Sequence, residues 1–300
     1  MAQESIIHGS RVFSITSPDG AVRADIVPAL GGIVASLRLG GRECLFQYPW
    51  FWDPRTEELR GGIPPLFPVC GRLLKEDVRG LYHVEGRPFV LPIHGFSMRF
   101  PWDVSDASRP DALRLRLVDS EKTRSMFPFA FELDLLYSAS AEGLSCRLAV
   151  RNVGGDPMPF YAGFHPYFLT PPPGAGKEQT LFAAHPRNRH LYNATKTDLV
   201  GSAPPPAFPM PVSDVDVNEL LLEMGDDRRT TLRFPDGFVL RQDASPRLRF
   251  RQFYTLPDHP FFCDEPWMAP PGSMNRPGAA HVLLPGKSET CEILLSAGRA

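Results

Sequence analysis

The feature that most restricts this chain is a side-chain alternation of period two that returns along most of its length. Val22, Ala24 and Ile26 alternate with Arg23 and Asp25, and Leu113, Leu115 and Leu117 with Arg114 and Arg116. Phe131, Leu133, Leu135 and Tyr137 alternate with Glu132 and Asp134, and Leu144, Cys146, Leu148 and Val150 with Ser145 and Arg147. Successive strand side chains point to opposite faces, so each pattern describes a strand buried on one side. Helical periodicity is weak, and residues 217–224 supply a turn or two at most. The 33 prolines and 25 glycines are scattered, which suits many strands and turns. One-faced strands must bury that face against another layer, which predicts an all-β protein, a large antiparallel sandwich.

Finer readings follow from the same pattern. Ile33, Ala35, Leu37 and Leu39 form one face, and Gly40-Gly41 turns the chain into residues 42–46 as a hairpin. Residues 131–137 and 144–150 read as neighbours in a meander, acids outward on one and arginines outward on the next. Ion pairs between them would add a few tenths of a kcal/mol each. Further strands are predicted at 230–234, 238–240, 248–254 and 293–295. No repeat or linker divides the chain, so residues 1–300 read as a single domain, a length that one all-β unit can reach.

Composition excludes several classes of function. A formal net charge of −2 makes no case for nucleic acid or an anionic membrane surface. No apolar run reaches membrane-spanning length, and residues 1–20 show no secretory signal. Cys44, Cys70, Cys146, Cys263 and Cys291 lie far apart in apolar contexts and are odd in number, which predicts reduced thiols and a cytoplasmic location. No Cys-x-x-Cys, His-x-His or His-Glu-x-x-His spacing supports a metal, and no glycine fingerprint supports a nucleotide cofactor.

Four stretches break the strand pattern and carry the polar chemistry. Residues 61–72 hold too many prolines for a central strand and end in Arg72. Residues 92–102 contain His94 before Gly95, followed by Arg99, Phe100 and Trp102. Residues 161–168 enclose His165 among aromatics. Residues 260–272 run Phe261 to Cys263, then Asp264 and Glu265, and break at Pro266. As strand neighbours, Asp264 and Glu265 cannot both line one pocket; one is a candidate base and the other is solvated or structural. Each histidine has a bland reading beside the functional one: His165 as a satisfied core histidine, His94 as a strand end. Together a carboxylate, two imidazoles and a guanidinium are a kit for proton transfer on an uncharged polyhydroxylated ligand. Aromatic faces such as Trp102, Tyr167 or Trp267 would pack on the C–H side of a sugar. A glycosidase wants two carboxylates facing each other, which a sequential pair does not provide. A serine hydrolase wants a Gly-x-Ser-x-Gly elbow, and none occurs.

The four stretches resemble the aldose 1-epimerase (galactose mutarotase-like) family. Leu66-Phe67-Pro68-Val69-Cys70-Gly71-Arg72 is similar to its Phe-Pro-x-x-Gly-Arg segment. Leu91-Pro92-Ile93-His94-Gly95-Phe96 is similar to its first histidine motif, and Gly163-Phe164-His165-Pro166-Tyr167-Phe168 to its second. Phe262-Cys263-Asp264-Glu265-Pro266-Trp267 resembles its Cys-x-Glu-Pro-Trp strand. The likeness runs from the early hairpin to the closing Leu284-Pro285-Gly286 and the strand after it.

The resemblance implies a super β-sandwich and an isomerase, an aldose 1-epimerase or mutarotase with no metal or cofactor. It implies that Glu265 is the general base for the anomeric hydroxyl and that His165 is the acid that protonates the ring oxygen. Their proximity is expected to raise the histidine's pKa. His94 and Arg72 would bind the sugar, with an aspartate, Asp216 or else Asp214, for a further hydroxyl. The partner expected is a small-molecule sugar, on a monomer or a homodimer. A branch acting on hexose 6-phosphates is also similar at Arg60-Gly61-Gly62-Ile63-Pro64, where the arginine would help bind phosphate. That branch has a further arginine four residues after the first histidine; here that position is Met98, with Arg99 one step later. Free aldose is therefore favoured, with the 6-phosphate and a non-catalytic sugar binder as the alternatives.

Overall fold

The computed structural model describes residues 1–299, and its regular structure is overwhelmingly antiparallel strand. Three sheets carry the architecture. The N-terminal sheet has five strands in chain order, from Gln3–Ile7 to Arg42–Glu43. Its Ile33–Leu39 hairpin turns at Gly40 and Gly41, both at positive φ as the paired glycines foretold. A nine-stranded sheet has Ala112–Val118, Phe131–Ser140, Gly143–Asn152 and Ser288–Arg299 at its centre. An eight-stranded sheet has Leu220–Met224, Phe250–Tyr254 and Phe261–Trp267 at its centre and carries the site. The alternating apolar faces converge on one core in which Leu115, Leu133, Leu135, Leu148 and Ile293 are wholly buried. Phe67, Phe96, Phe127 and Phe131 join it as an aromatic cluster. All five cysteines are free and buried in apolar surroundings. Among the described residues no helix is long and apolar enough to cross a membrane.

Two local expectations are corrected, and one element is added. Residues 217–224 are not helical: a 3-10 turn at Val215–Val217 gives way to the strand Leu220–Met224. The meander is present, with Leu135 opposite Leu148, but its ion pairs run the other way. Asp134 pairs with Arg114 and Glu132 with Arg116 of the preceding strand, each at 2.8 Å, diagonally across a register that sets Arg116 opposite Asp134. A single helical turn at Glu121–Arg124, held by a capping box between Ser120 and Thr123, had no counterpart in the periodicity.

Candidate active site

The site is built around the strand Phe261–Trp267, buried along its whole length. Asp264 and Glu265 point to opposite faces, as alternation requires. Asp264 is fully buried against the equally buried Arg251, whose Nη1 donates to Oδ1 at 3.1 Å, and it accepts from the Thr230 hydroxyl. It is a structural ion pair beneath the sheet. Glu265 faces the cavity.

Strand register explains the partner of Glu265. On one side Gly163 pairs with Trp267 and Tyr167 with Cys263, which sets His165, midway between, opposite Glu265. On the other side Gln252 lies directly opposite Glu265. Gly163 permits this approach, since a Cβ there would sit 2.5 Å from the Pro266 carbonyl oxygen. His165 Nε2 stands 3.3 Å from Glu265 Oε2, with both side chains almost wholly buried. The phenol ring of Tyr167 stacks parallel to the His165 ring at 4.5 Å.

His94 arrives from the loop before a left-handed pair, with φ of 62° at His94 and 69° at Gly95. Gly95 is required there, because a Cβ would meet the Phe67 carbonyl oxygen at 2.2 Å. The His94 N–H donates to the Gly71 carbonyl at 2.9 Å, and the Gly71 N–H donates to His94 Nδ1 at 3.1 Å. An imidazole that accepts at Nδ1 carries its proton on Nε2, so His94 offers the cavity a donor. This bears on metals. Ligand atoms of His94, His165 and Glu265 lie within 4.8 Å of one another, close enough to hold an ion. A metal at His94 Nε2 would force the proton to Nδ1, against the Gly71 N–H. The donor set therefore does not fit a metal.

Arg72 reaches the cavity and pairs with Glu219, Nη2 to Oε1 at 3.2 Å. Glu219 also accepts from Gln252 Nε2 at 3.3 Å, and Gln252 Oε1 accepts from the Tyr192 hydroxyl at 2.6 Å. A polar chain of Tyr192, Gln252, Glu219 and Arg72 thus runs along one wall. Together with Tyr48, Trp50, Tyr167, Tyr254 and Trp267 these groups line a cavity of about 340 Å³.

The predicted residues Glu265, His165, His94 and Arg72 thus meet in one cavity. Asp216 does not. It lies exposed on the 3-10 turn, where its N–H is capped by the Asp214 side chain at 2.9 Å, and neither aspartate lines the cavity. The acid of this stretch that does is Glu219, held at a left-handed φ of 61°. Trp102 is also elsewhere, buried with its indole N–H donating to the Ser97 carbonyl. Arg60 is committed locally: its guanidinium donates to the carbonyls of Phe51, Asp53 and Thr56 and ties down the loop they form.

Burial dominates the electrostatics. It pushes the Glu265 carboxyl well above its ordinary range, with the nearby Glu219 charge adding to the rise and Arg72 opposing it. It pushes His165 down to about 3, and His94 well below its ordinary value. The expected upward shift of His165 is therefore reversed, because loss of hydration outweighs the carboxylate beside it.

Two histidines and a glutamate thus converge in one cavity of a β-sandwich whose fold is galactose mutarotase-like. The sequence profile of aldose 1-epimerases matches residues 12–186, and the chain belongs to the aldose 1-epimerase family. Among relatives, the chromosomal LacX protein of Lactococcus lactis subsp. lactis is 26% identical over 146 residues, 47% of this chain and 46% of that protein, so the match spans about half the relative's length. Among solved structures, a Synechocystis sp. PCC 6803 protein superposes with a TM-score of 0.83 at 24% identity, covering 100% of this chain and 98% of its own. A galactose mutarotase-like protein from Clostridium acetobutylicum superposes with a TM-score of 0.86 at 18% identity, covering 100% and 99%.

Proposed function

We propose that this protein is an aldose 1-epimerase that interconverts the α and β anomers of a free aldose. The observation that carries the reading is the pairing of Glu265 with His165, 3.3 Å apart at the buried end of an aromatic-walled cavity. With Glu265 ionised and His165 protonated, the pair offers a base for the anomeric hydroxyl and an acid for the ring oxygen. Glu265 takes the O1 proton, the C1–O5 bond breaks as C1=O1 forms, and His165 gives its proton to O5. Rotation about C1–C2 and the reverse steps close the other anomer and restore both groups. His94 Nε2–H donates to the sugar near the ring oxygen, and Arg72 holds hydroxyls. Acid–base assistance of this kind contributes about 10²- to 10⁴-fold.

An unphosphorylated sugar is favoured because Arg60 spends its donors on three backbone carbonyls and Met98 is buried. A purely sugar-binding role would not require a facing acid and base. Polarimetry on freshly dissolved α-glucose, α-galactose and glucose 6-phosphate tests the proposal. Catalysed relaxation of a free hexose is expected, with the 6-phosphate slower; no relaxation above the buffer rate with any of them overturns the enzyme reading.

A further inference from the structure

A second cavity lies beyond Arg72 and Ile93, which line both it and the cavity of Glu265 and His165. It measures about 1010 Å³ and is the larger of the two. Val90, 49% exposed, and the half-buried Ile93, Phe100 and Met126 give it an apolar wall that the fold leaves open to water. Its charge is one-sided: Arg55, Arg72, Arg79, Arg99 and Lys122 border it against the single acid Glu57. Arg55 is held by Asp53 and Arg72 by Glu219. Among the described residues no carboxylate pairs with Arg79, Arg99 or Lys122.

Arg99 is the best placed of these three. Its Nη1 donates to the carbonyls of Ile93 and Gly95, at 3.1 and 2.7 Å, which fixes the guanidinium plane. Glu57 and Glu58 are near enough to feel its charge, yet neither bonds to it. The edge formed by Nε–H and Nη2–H donates to no described residue. That edge is the one Arg11 presents to Glu4, and Arg109 to Asp111, each time as two parallel N–H···O bonds to one carboxylate. A fork already held in plane by its other nitrogen loses little freedom when a carboxylate arrives.

We propose that this cavity binds an amphiphilic carboxylate, with its head on the Nε/Nη2 edge of Arg99 and its apolar chain along Val90, Ile93, Phe100 and Met126. Arg79 and Lys122 at the rim attract the same charge. The apolar wall rewards a chain that a simple anion lacks, and the excess of cations disfavours an amphiphile of the opposite charge. The site is separate from Glu265 and His165 and does not depend on the reading of that pair.

Calorimetric titration of the intact protein with octanoate, butyrate and octylammonium tests it. Octanoate is expected to bind at least about 10-fold more tightly than either of the others, through its longer chain in one comparison and its charge in the other. Arg99→Lys keeps the charge and loses the fork, and should weaken octanoate about 5- to 10-fold. Val90→Glu sets a like charge on the wall at an exposed position, where it does not disturb the core, and should weaken octanoate at least about 5-fold. Val282→Glu, at an equally exposed valine that does not line this cavity, should bind octanoate as the parent does. No octanoate binding at millimolar concentration, equal affinity for octanoate and butyrate, or binding indifferent to Arg99→Lys or Val90→Glu overturns the site, as does an equal loss in Val282→Glu. If Arg99→Lys fails to fold, Val90→Glu decides. The readout is carboxylate binding, so failure here leaves the anomer-exchange reading untouched, and loss of that reading leaves this site standing.

Discussion

Asp264 and Glu265 are consecutive on one strand, and their carboxylates are buried in opposite chemical surroundings. Asp264 is neutralised by Arg251 beneath the sheet, whereas Glu265 faces His165 in the cavity with no cation bonded to it. The two should therefore fail differently. Removing one partner of a buried ion pair leaves the other charge uncompensated, and Asp264→Ala should cost about 3–5 kcal/mol in urea unfolding. Glu265→Gln should fold at least as well as the parent. Its carboxyl has a folded-state pKa above the unfolded one. The stability it contributes is fully present below the unfolded value, near pH 4.5, and is lost as pH rises toward the folded value. The gain from Glu265→Gln should grow from pH 5 to pH 8.

Glu219 raises the proton affinity of Glu265 and also anchors Arg72, which lowers it. His165, His94, Asp264, Tyr167, Tyr192, Tyr254, Cys70 and Cys263 are the other titratable groups around that carboxyl. In Glu219→Gln the negative charge is gone and Arg72 is released. The acid limb of the kcat/KM profile for anomer exchange should move to lower pH, with a weaker base and a lower plateau. A purely structural role for Glu219 would lower activity without moving the limb.

Burial holds His94 neutral in the folded protein. Below its ordinary value of 6.5 the unfolded chain takes up a proton that the folded state refuses, so stability falls as pH falls. His94→Asn keeps an acceptor for the Gly71 N–H, and asparagine tolerates the left-handed backbone. Between pH 6 and pH 5 the variant should lose about 1 kcal/mol less stability than the parent, the effect of nearly one proton. Urea midpoints across that range measure it.

Arg60 ties the 51–56 carbonyls together beside the loop that holds Trp50. Arg60→Met should speed amide exchange in residues 50–59 and raise KM for sugars without changing the ratio of free hexose to hexose 6-phosphate. A selective loss of the phosphorylated sugar would reassign Arg60 to phosphate binding.

Much of this arrangement was legible in the sequence. Alternation alone gave the faces of Phe131–Ser140 and Gly143–Asn152, and it required Asp264 and Glu265 to part. The motifs picked out Glu265, His165, His94 and Arg72, which meet in one cavity. What escaped depends on contacts between distant segments. Glu219 meets Arg72 across 147 positions, on a left-handed residue between a turn and a strand, where periodicity carries no signal; Asp216, three residues earlier, turns to solvent. Trp102, expected among the sugar-facing aromatics, is buried by the fold, and the tryptophan stacked at the cavity mouth is Trp50, which the pattern did not single out. The downward shift of His165 was also hidden, because it arises from enclosure rather than from its neighbours in the chain.

The central claim is that Glu265 and His165 exchange protons with an aldose. Magnetisation exchange between the α and β anomeric signals of an equilibrated hexose measures this directly, in the presence of the parent protein, Glu265→Gln or His165→Asn. The account requires exchange well above the buffer rate with the parent and a loss of about 10²- to 10⁴-fold in each variant. Exchange as fast with Glu265→Gln as with the parent would contradict it.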